Sequence, residues 1–442
     1  MEKVSITSID FIGIGGIGMS ALARWALKKN IKVSGYDKTQ SEITKSLENE
    51  GVNIRYNNQK NDVYLNDDTL VVYTPAISLK HPQILYAIHK KLQIVKRSEL
   101  LGNIANKGIC LAVAGTHGKT TTSCLLAWIL SNSGMPVQAF FGGVSANFKS
   151  NYLHGTGEIT IVEADEYDRS FLSLKPSAGV ITSTDPDHLD YYKTKNELQN
   201  TFSEFAKKCG TCYTHSSIRE IKGKNYGFGN KEFGAENIVS NGINQYFDLI
   251  LNGIKYPRIN AGMPGNHNIE NAVAAATIAN HVGVSAKKII EGIETFKGVK
   301  RRFEIYITKT DLVYIDDYAH HPTALKKLIN AIQTIYPSKE IAMVFQPHLY
   351  SRTRDFLGEF KEVLSEIDSL GILPIYPARE NPIPGVDSET LVDLIPGSHL
   401  LSFSTAAHWI SSKTDHIRVT AGAGDINSLV PEIISSLKKL EK

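Results

Sequence analysis

The sequence predicts an α/β protein divided into three domains, each built on a mainly parallel sheet. Three observations predict this. The chain has 442 residues, more than one core of ordinary size accommodates. Short apolar runs alternate with helix-period segments along most of its length. Two of those runs end in glycine-rich turns that open directly into helices, the sequence form of a strand-to-helix phosphate cradle.

In the N-terminal segment, residues 1–105, "SIDFIGIGG" reads as a strand, "MSALARWALKKN" as a helix and "KVSGYD" as the next strand; "TLVVYTPAI" and "QIVKRSELL" continue the alternation. This is a Rossmann-like pattern. The pattern restarts near "GNIANKG", and the central segment, residues 106–296, begins with the buried strand "ICLAVAG". The amphipathic helix "KTTTSCLLAWILSNSG" follows, then the strands "EITIVEAD" and "AGVITSTD". The closing helix is "NIENAVAAATIANHVG", with Gly283 as its stop. A third α/β alternation, also Rossmann-like, fills residues 297–442. It runs from "FEIYITKTDLVYIDD" through "EIAMVFQPH" and "LGILPIYPARE" to "HIRVTAGAGD".

Composition narrows the function. Hydrophobic residues make up 42% and charged residues 21%, with a formal charge of +3. That balance, with no Lys/Arg run, gives no reason to expect nucleic acid. The N-terminus lacks a basic stretch followed by an apolar core, and no apolar run has membrane-spanning length, so a cytoplasmic protein with no membrane partner is expected. Four cysteines are too few for a disulfide framework. Cys209 and Cys212 form a C-x-x-C with His215 nearby. Cys110 and Cys124, in a strand and a helix flanking a glycine turn, are badly placed to complete a zinc site. The pair reads as two partly buried thiols.

The central turn, "AGTHGKTTT", is a phosphate-binding loop cut short: a standard loop has glycine six residues before its lysine, where this chain has Val113. Amide groups at the helix start and the helix dipole favour an anion there. Gly115 and Gly118 allow close approach, Lys119 supplies a cation, and the Thr120 hydroxyl suits Mg²⁺. Carboxylates for that metal stand at the ends of the next strands: Glu163, Asp165 and Glu166 in "ITIVEADEYD", then Asp187, His188 and Asp190 in "STDPDHLDYY". In the N-terminal "GIGGIGMS", Gly13, Gly15 and Gly18 fit G-x-G-x-x-G, and Asp37 ends the following strand. That motif promises a diphosphate and a ribose-binding acid, satisfied equally by NAD, FAD or a nucleotide sugar. The third segment gathers Arg301, Arg302, His320, His321, His348, Arg352 and Arg354, side chains suited to carboxylates and phosphates.

Taken together and in order, "GIGGIGMS", "AGTHGKTTT", "EADEYDRSF", "DHLD", "PGNHNIENA", "RRFE", "DDYAHHPTA", "FQPHLYSRTRD", "YPARE" and "GAGD" resemble the Mur ligases of peptidoglycan precursor synthesis, specifically their alanine-adding members. The likeness covers essentially the whole chain. It implies an ATP-dependent ligase with UDP-N-acetylmuramate, L-alanine and ATP as substrates, an acyl-phosphate intermediate and two Mg²⁺ ions, with Mn²⁺ an acceptable replacement. A monomer or weak homodimer is expected. ATP would contact Gly115, Thr116, Gly118, Lys119, Thr120 and Thr121. His267, Asn268 and Asn271 would lie by the adenine, and Arg302 and Asp317 would reach in from the third domain. Thr120 and Glu163 would hold one metal ion and His188 would help place the other. The UDP part would lie on Gly13, Gly15, Gly16, Gly18, Met19, Ser20 and Asp37. His320, His348 and Arg352 would surround alanine and the reacting carboxylate. The family reading also implies closure of the third domain over ATP.

Two positions depart from the family pattern. Leu349 stands where some relatives have arginine, which shifts the amino-acid carboxylate toward Arg352. Ser183 and Thr184 stand where many have asparagine. Three other readings compete: a recycling ligase that adds a preformed tripeptide to the same sugar, an NAD-dependent oxidoreductase with an accessory ATPase, and a nucleotide switch that forms no bond.

Overall fold

The computed structural model describes residues 6–57, 65–155, 158–187, 189–378 and 380–439; of Leu189 and Asp190 only the backbone is described. Three sheets follow one another along the chain. The first has five parallel strands, in spatial order Asn53–Arg55, Lys32–Tyr36, Ser8–Ile12, Thr69–Tyr73, Gln93–Lys96. Order reverses at Ser8–Ile12, and the glycine turn that follows it opens where a parallel sheet binds ligands.

The central sheet has ten strands. Ile109–Ala114 runs parallel between Ile159–Glu163 and Ala178–Ile181. This register sets Gly115, Glu163 and Thr182 at neighbouring strand ends. The helix Lys119–Asn132 follows the loop, and here the structure corrects the amphipathic reading: Thr120 to Ala127 are buried without a break, as are Ile129 and Leu130. The sheet covers one side of it, and the helices Asn266–His281 and Ala286–Glu294 cover the other.

Two further differences concern extent. Gly283 stops the helix Asn266–His281 as expected, at φ +89°, but Ala286–Glu294 adds another helix before the segment ends. Cys209 and Cys212 stand at the entrance of a strand, Thr211–His215, and residues 224–260, to which the sequence patterns assign no strands, contribute four more, the last three antiparallel. The third sheet has six strands, and "FEIYITKTDLVYIDD" is an antiparallel hairpin of Glu304–Thr308 and Val313–Asp317 rather than one strand of an alternation.

Apolar side chains cover both faces of each sheet. The core of the first sheet is not self-contained: Phe140 and Tyr152, from strands of the central sheet, pack into it with Ala21, Leu22 and Leu100. Beside them, buried Asn151 donates to Ile17 O at 2.6 Å and to Ser20 Oγ at 2.9 Å. No helix among the described residues is long and apolar enough to cross a membrane.

Candidate active site

The phosphate loop is held open by its neighbours on the sheet. Gly115 has φ +131°, and a β-carbon there would stand 2.2 Å from Thr182 Oγ1 and 2.8 Å from Ser183 N. Gly118, at φ +82°, would meet Asn271 Oδ1 at 2.4 Å. Ser183, one of the two departures from the family pattern, braces the loop: its hydroxyl accepts from His117 N–H at 2.8 Å, and its carbonyl accepts from Thr116 N–H at 3.1 Å. Gly115→Ala combines a disfavoured φ with a backbone clash. It should destabilise the central domain by about 1–3 kcal/mol, seen as a lower melting temperature, and weaken ATP-analogue binding in titration calorimetry.

Carboxylates meet this loop from the adjacent strand end. Glu163 Oε1 accepts from the Thr120 hydroxyl at 2.9 Å, and Oε2 accepts from Gly142 N–H at 2.6 Å. Burial raises the Glu163 carboxyl above its ordinary range, against the pull of Lys119 and the two hydrogen bonds. Glu166 is fully buried, and each of its carboxylate oxygens accepts from Lys119 Nζ, at 2.7 and 2.9 Å; Gly115 O accepts from the same ammonium at 2.7 Å. Burial alone would depress the ammonium, yet Glu166, Asp165 and Glu163 together push it up. Lys119 is therefore charged, and fixed.

A cavity of about 370 Å³ opens from this loop and is lined from all three sheets. Thr116, Thr120, Thr121, Glu163, His267, Asn268, Asn271, Arg302, Asp317, His320, His348 and Arg352 all line it, bringing together most of the residues expected there. Asn271 Nδ2 donates to Asn268 Oδ1 at 3.2 Å, which locks the two amides at the start of their helix. Asp317 accepts from Phe303 N–H and Ala319 N–H, at 2.6 and 2.7 Å. Arg302 lies 4.7 Å from the Tyr318 ring centroid. His267 is lowered to about 3, chiefly by burial and then by Lys327 and Arg302.

That depression makes a signed prediction. Between pH 6.5 and about 3 the unfolded chain binds a proton at residue 267 that the folded chain refuses, so stability falls as pH falls. His267→Asn should remove about 2 kcal/mol of the loss between pH 7.5 and pH 5. The measurement is urea unfolding of both proteins at the two pH values.

Across from the loop, His320 Nδ1 donates to Tyr318 O at 2.8 Å, which leaves Nε2 as the lone-pair atom. Burial, then Arg352 and His348, hold this imidazole well below its ordinary value, so it is neutral at pH 7. Arg352 does not stand ready for a substrate carboxylate as expected. Its Nη2 donates to Asp187 Oδ1 at 2.7 Å and its Nη1 to His348 Nδ1 at 3.1 Å. This pair, 5% and 7% exposed, ties the third domain to the central one, so the domain already lies against the site. Two other arginines leave the expected cluster. Arg301 is tied to Asp316, Gly422 O and Asn427, and Arg354 pairs with its neighbour Asp355.

The N-terminal turn behaves differently from its motif. Asp37 Oδ2 accepts from Gly15 N–H at 2.8 Å and so braces the turn it was expected to complement. Met19 is packed in the first core, the Ser20 hydroxyl bonds to Ile17 O and the Ser20 N–H donates to Gly16 O at 2.9 Å, which leaves the Met19 amide as the donor these two residues offer a ligand. Gly13 donates to Tyr36 O at 2.7 Å and Gly16 to Gly13 O at 3.2 Å, shaping the turn. Of this group Gly18 alone lines the common cavity. Beside it stands Arg97, which sequence reasoning missed; its Nη1 lies 2.6 Å from where a β-carbon on Gly18 would be, and its Nη2 donates to Asp165 at 3.3 Å.

Could the site hold magnesium? Thr120 and Glu163 present a hydroxyl and a carboxylate oxygen in contact at the helix start. That hard-oxygen pair fits an ion that also takes phosphate oxygens and water. No group of three or more His, Cys, Asp or Glu arranged for a metal occurs among the described residues. His188, the expected ligand of a second ion, lies outside them. The four cysteines are free thiols, with Cys209 and Cys212 half-buried.

A shortened phosphate loop, acids at the neighbouring strand ends and a third domain closing the cavity define a phosphate-loop α/β enzyme. The chain belongs to the Mur ligase family. Residues 8–108 match the family's domain described as "Mur ligase family, catalytic domain", 113–279 the "Mur ligase middle domain" and 301–430 the "Mur ligase, glutamate ligase domain". A protein of Christiangramia forsetii named UDP-N-acetylmuramate–L-alanine ligase is 42% identical over 438 residues, 97% of each chain. One of the same name from Cytophaga hutchinsonii is 41% identical, over 98% of this chain and 97% of that one. Among solved structures, UDP-N-acetylmuramate-alanine ligase of Thermotoga maritima superposes with a TM-score of 0.85 at 25% identity, covering 98% of this chain and 99% of that one. A murein peptide ligase of Psychrobacter arcticus shares the fold at TM-score 0.72 and 22% identity, with 98% of each covered.

Proposed function

We propose that this protein joins L-alanine to the carboxylate of UDP-N-acetylmuramate at the expense of ATP, through an acyl phosphate, in peptidoglycan precursor synthesis. The observation that carries the reading is the meeting of three groups in one cavity: the end of the first sheet's glycine turn, the phosphate loop and the His320–His348–Arg352 set. The full-length likeness to relatives of that name supports it. In this reading the working domain divisions fall near residues 105 and 297.

The chemistry follows from charge. A carboxylate resists attack by an amine, so its oxygen first attacks the γ-phosphorus and ADP leaves. Lys119 offsets charge that spreads over the transferring phosphoryl group, and the amides of the loop fix its position. Thr120 and Glu163 would hold a Mg²⁺ ion that neutralises phosphate charge, with His188 proposed to help place a second. His267, Asn268 and Asn271 bound the nucleobase end, and Arg302 and Asp317 reach the nucleotide from the third domain. The amine of alanine then attacks the acyl carbon and phosphate departs. Neutral His320 offers Nε2 to the amine proton. Arg352 serves the amino-acid carboxylate by exchanging Asp187 for it, both partners being carboxylates of the same reach. The UDP portion lies along the turn Gly13–Ser20, where the first helical turn, Ile17 to Met19, offers its amides and Arg97 extends the site.

A phosphate-release assay with ATP and UDP-N-acetylmuramate, run with each amino acid in turn and with the L-alanyl tripeptide, tests the reading. Release should need the sugar nucleotide and be fastest with L-alanine. Release fastest with the tripeptide would transfer the protein to the recycling branch, and release without either acceptor would leave only a nucleotide hydrolase.

A further inference from the structure

Five cations line the cavity: Arg97, Lys119, Arg302, Lys327 and Arg352. Three are paired with carboxylates, Arg97 with Asp165 at 3.3 Å, Lys119 with Glu166 at 2.7 Å and Arg352 with Asp187 at 2.7 Å. Arg302 is stacked over Tyr318. Lys327 has no hydrogen bond or ion pair among the described residues. A polyanion entering this cavity therefore meets one ammonium whose charge no carboxylate has already met.

Its position is set by packing. Lys327 lies on the helix Pro322–Ile335 of the third domain, one turn before Ala331, and residues four apart share a helix face. Ala331 Cβ lies 3.2 Å from where a β-carbon on Gly265 would stand, so this face rests on the start of the helix that carries His267, Asn268 and Asn271. Long helical side chains lean toward the N-terminus of their own helix, which directs Lys327 along the cavity wall formed by Ala324 and Leu328. The electrostatic effect of Lys327 reaches both His117 of the phosphate loop and His267.

We propose that Lys327 binds the phosphates of the nucleoside triphosphate, and is a contact through which ATP holds the third domain against the central one. The proposal rests on the ATP-dependent reading above. It assigns the third domain a direct ionic grip on ATP, additional to that of Arg302.

The test uses the full-length protein. Lys327→Met should raise KM for ATP and the dissociation constant of a non-hydrolysable ATP analogue by about tenfold, the worth of one charge-assisted hydrogen bond. The KM values for alanine and the sugar nucleotide should stay within twofold, and Lys327→Arg should stay within threefold of wild type throughout. Circular dichroism and melting temperature establish that the variants fold. Analogue affinity unchanged in a folded Lys327→Met protein would overturn the proposal while leaving the ligase reading intact. Equal rises in all three KM values would also overturn it, marking the lysine as an interface residue. A wild-type protein that bound no ATP analogue would overturn both readings at once.

Discussion

Lys119→Ala is expected to lower ligase turnover by about 10²–10³-fold or more, the worth of one positioned donor to a developing charge. The loss should appear in kcat with KM for alanine little changed, because the lysine meets the transferring phosphoryl group and not the amino acid. A structural explanation has to be separated from this, since the substitution removes the cation of the fully buried Glu166 carboxylate. Breaking a buried pair from one side costs about 3–5 kcal/mol. The double variant Lys119→Ala/Glu166→Gln removes both charges and should recover most of the lost stability without recovering turnover. Turnover that returned with stability would reduce Lys119 to a packing role.

Asp187→Ala should be nearly as damaging, by a different route. It leaves the Arg352 guanidinium, 5% exposed, in the interface between the central and third domains without its carboxylate; Nε of that group already lacks a partner. An uncompensated charge in such a place costs about 3–5 kcal/mol, and the cheapest relief is to let the third domain swing into water. Small-angle scattering of the free protein should show a larger radius of gyration, and the KM for ATP should rise because one wall of the cavity has withdrawn. Adding Arg352→Met should restore the compact profile, yet not turnover, if Arg352 also meets the amino acid. A compact single variant would show that the apolar contacts between the domains suffice.

How much of this was legible in the sequence depended on distance along the chain. The phosphate loop was readable because Gly115, Gly118, Lys119 and Thr120 fall within one six-residue stretch flanked by a strand and a helix. Glu163 was readable because it ends a strand of strong apolar pattern. The partnership of Lys119 with Glu166 spans 47 residues and needs the sheet to be assembled first. Arg97 and Lys327 carry no local motif at all. The helix after the loop was misjudged as half-exposed because it begins with three threonines and a serine. Three of those hydroxyls are satisfied inside the protein, Thr120 on Glu163 at 2.9 Å, Ser123 on Thr120 O at 3.1 Å and Thr122 on Asn271 at 3.3 Å, so the residues are buried despite their polarity. Asp37 misled for the converse reason: the motif fixes its place but not whether the turn's own amide claims it first.

Phe140 and Tyr152 sit in a core whose other members come from the first hundred or so residues. A gene fragment cut at the apparent N-terminal boundary would therefore present an oily hollow to water and should be recovered mainly as aggregate. Extending it to include residues 137–153 would supply the missing plug but leave two strands torn from their own sheet. The first two segments are best handled, crystallised and engineered as a single body.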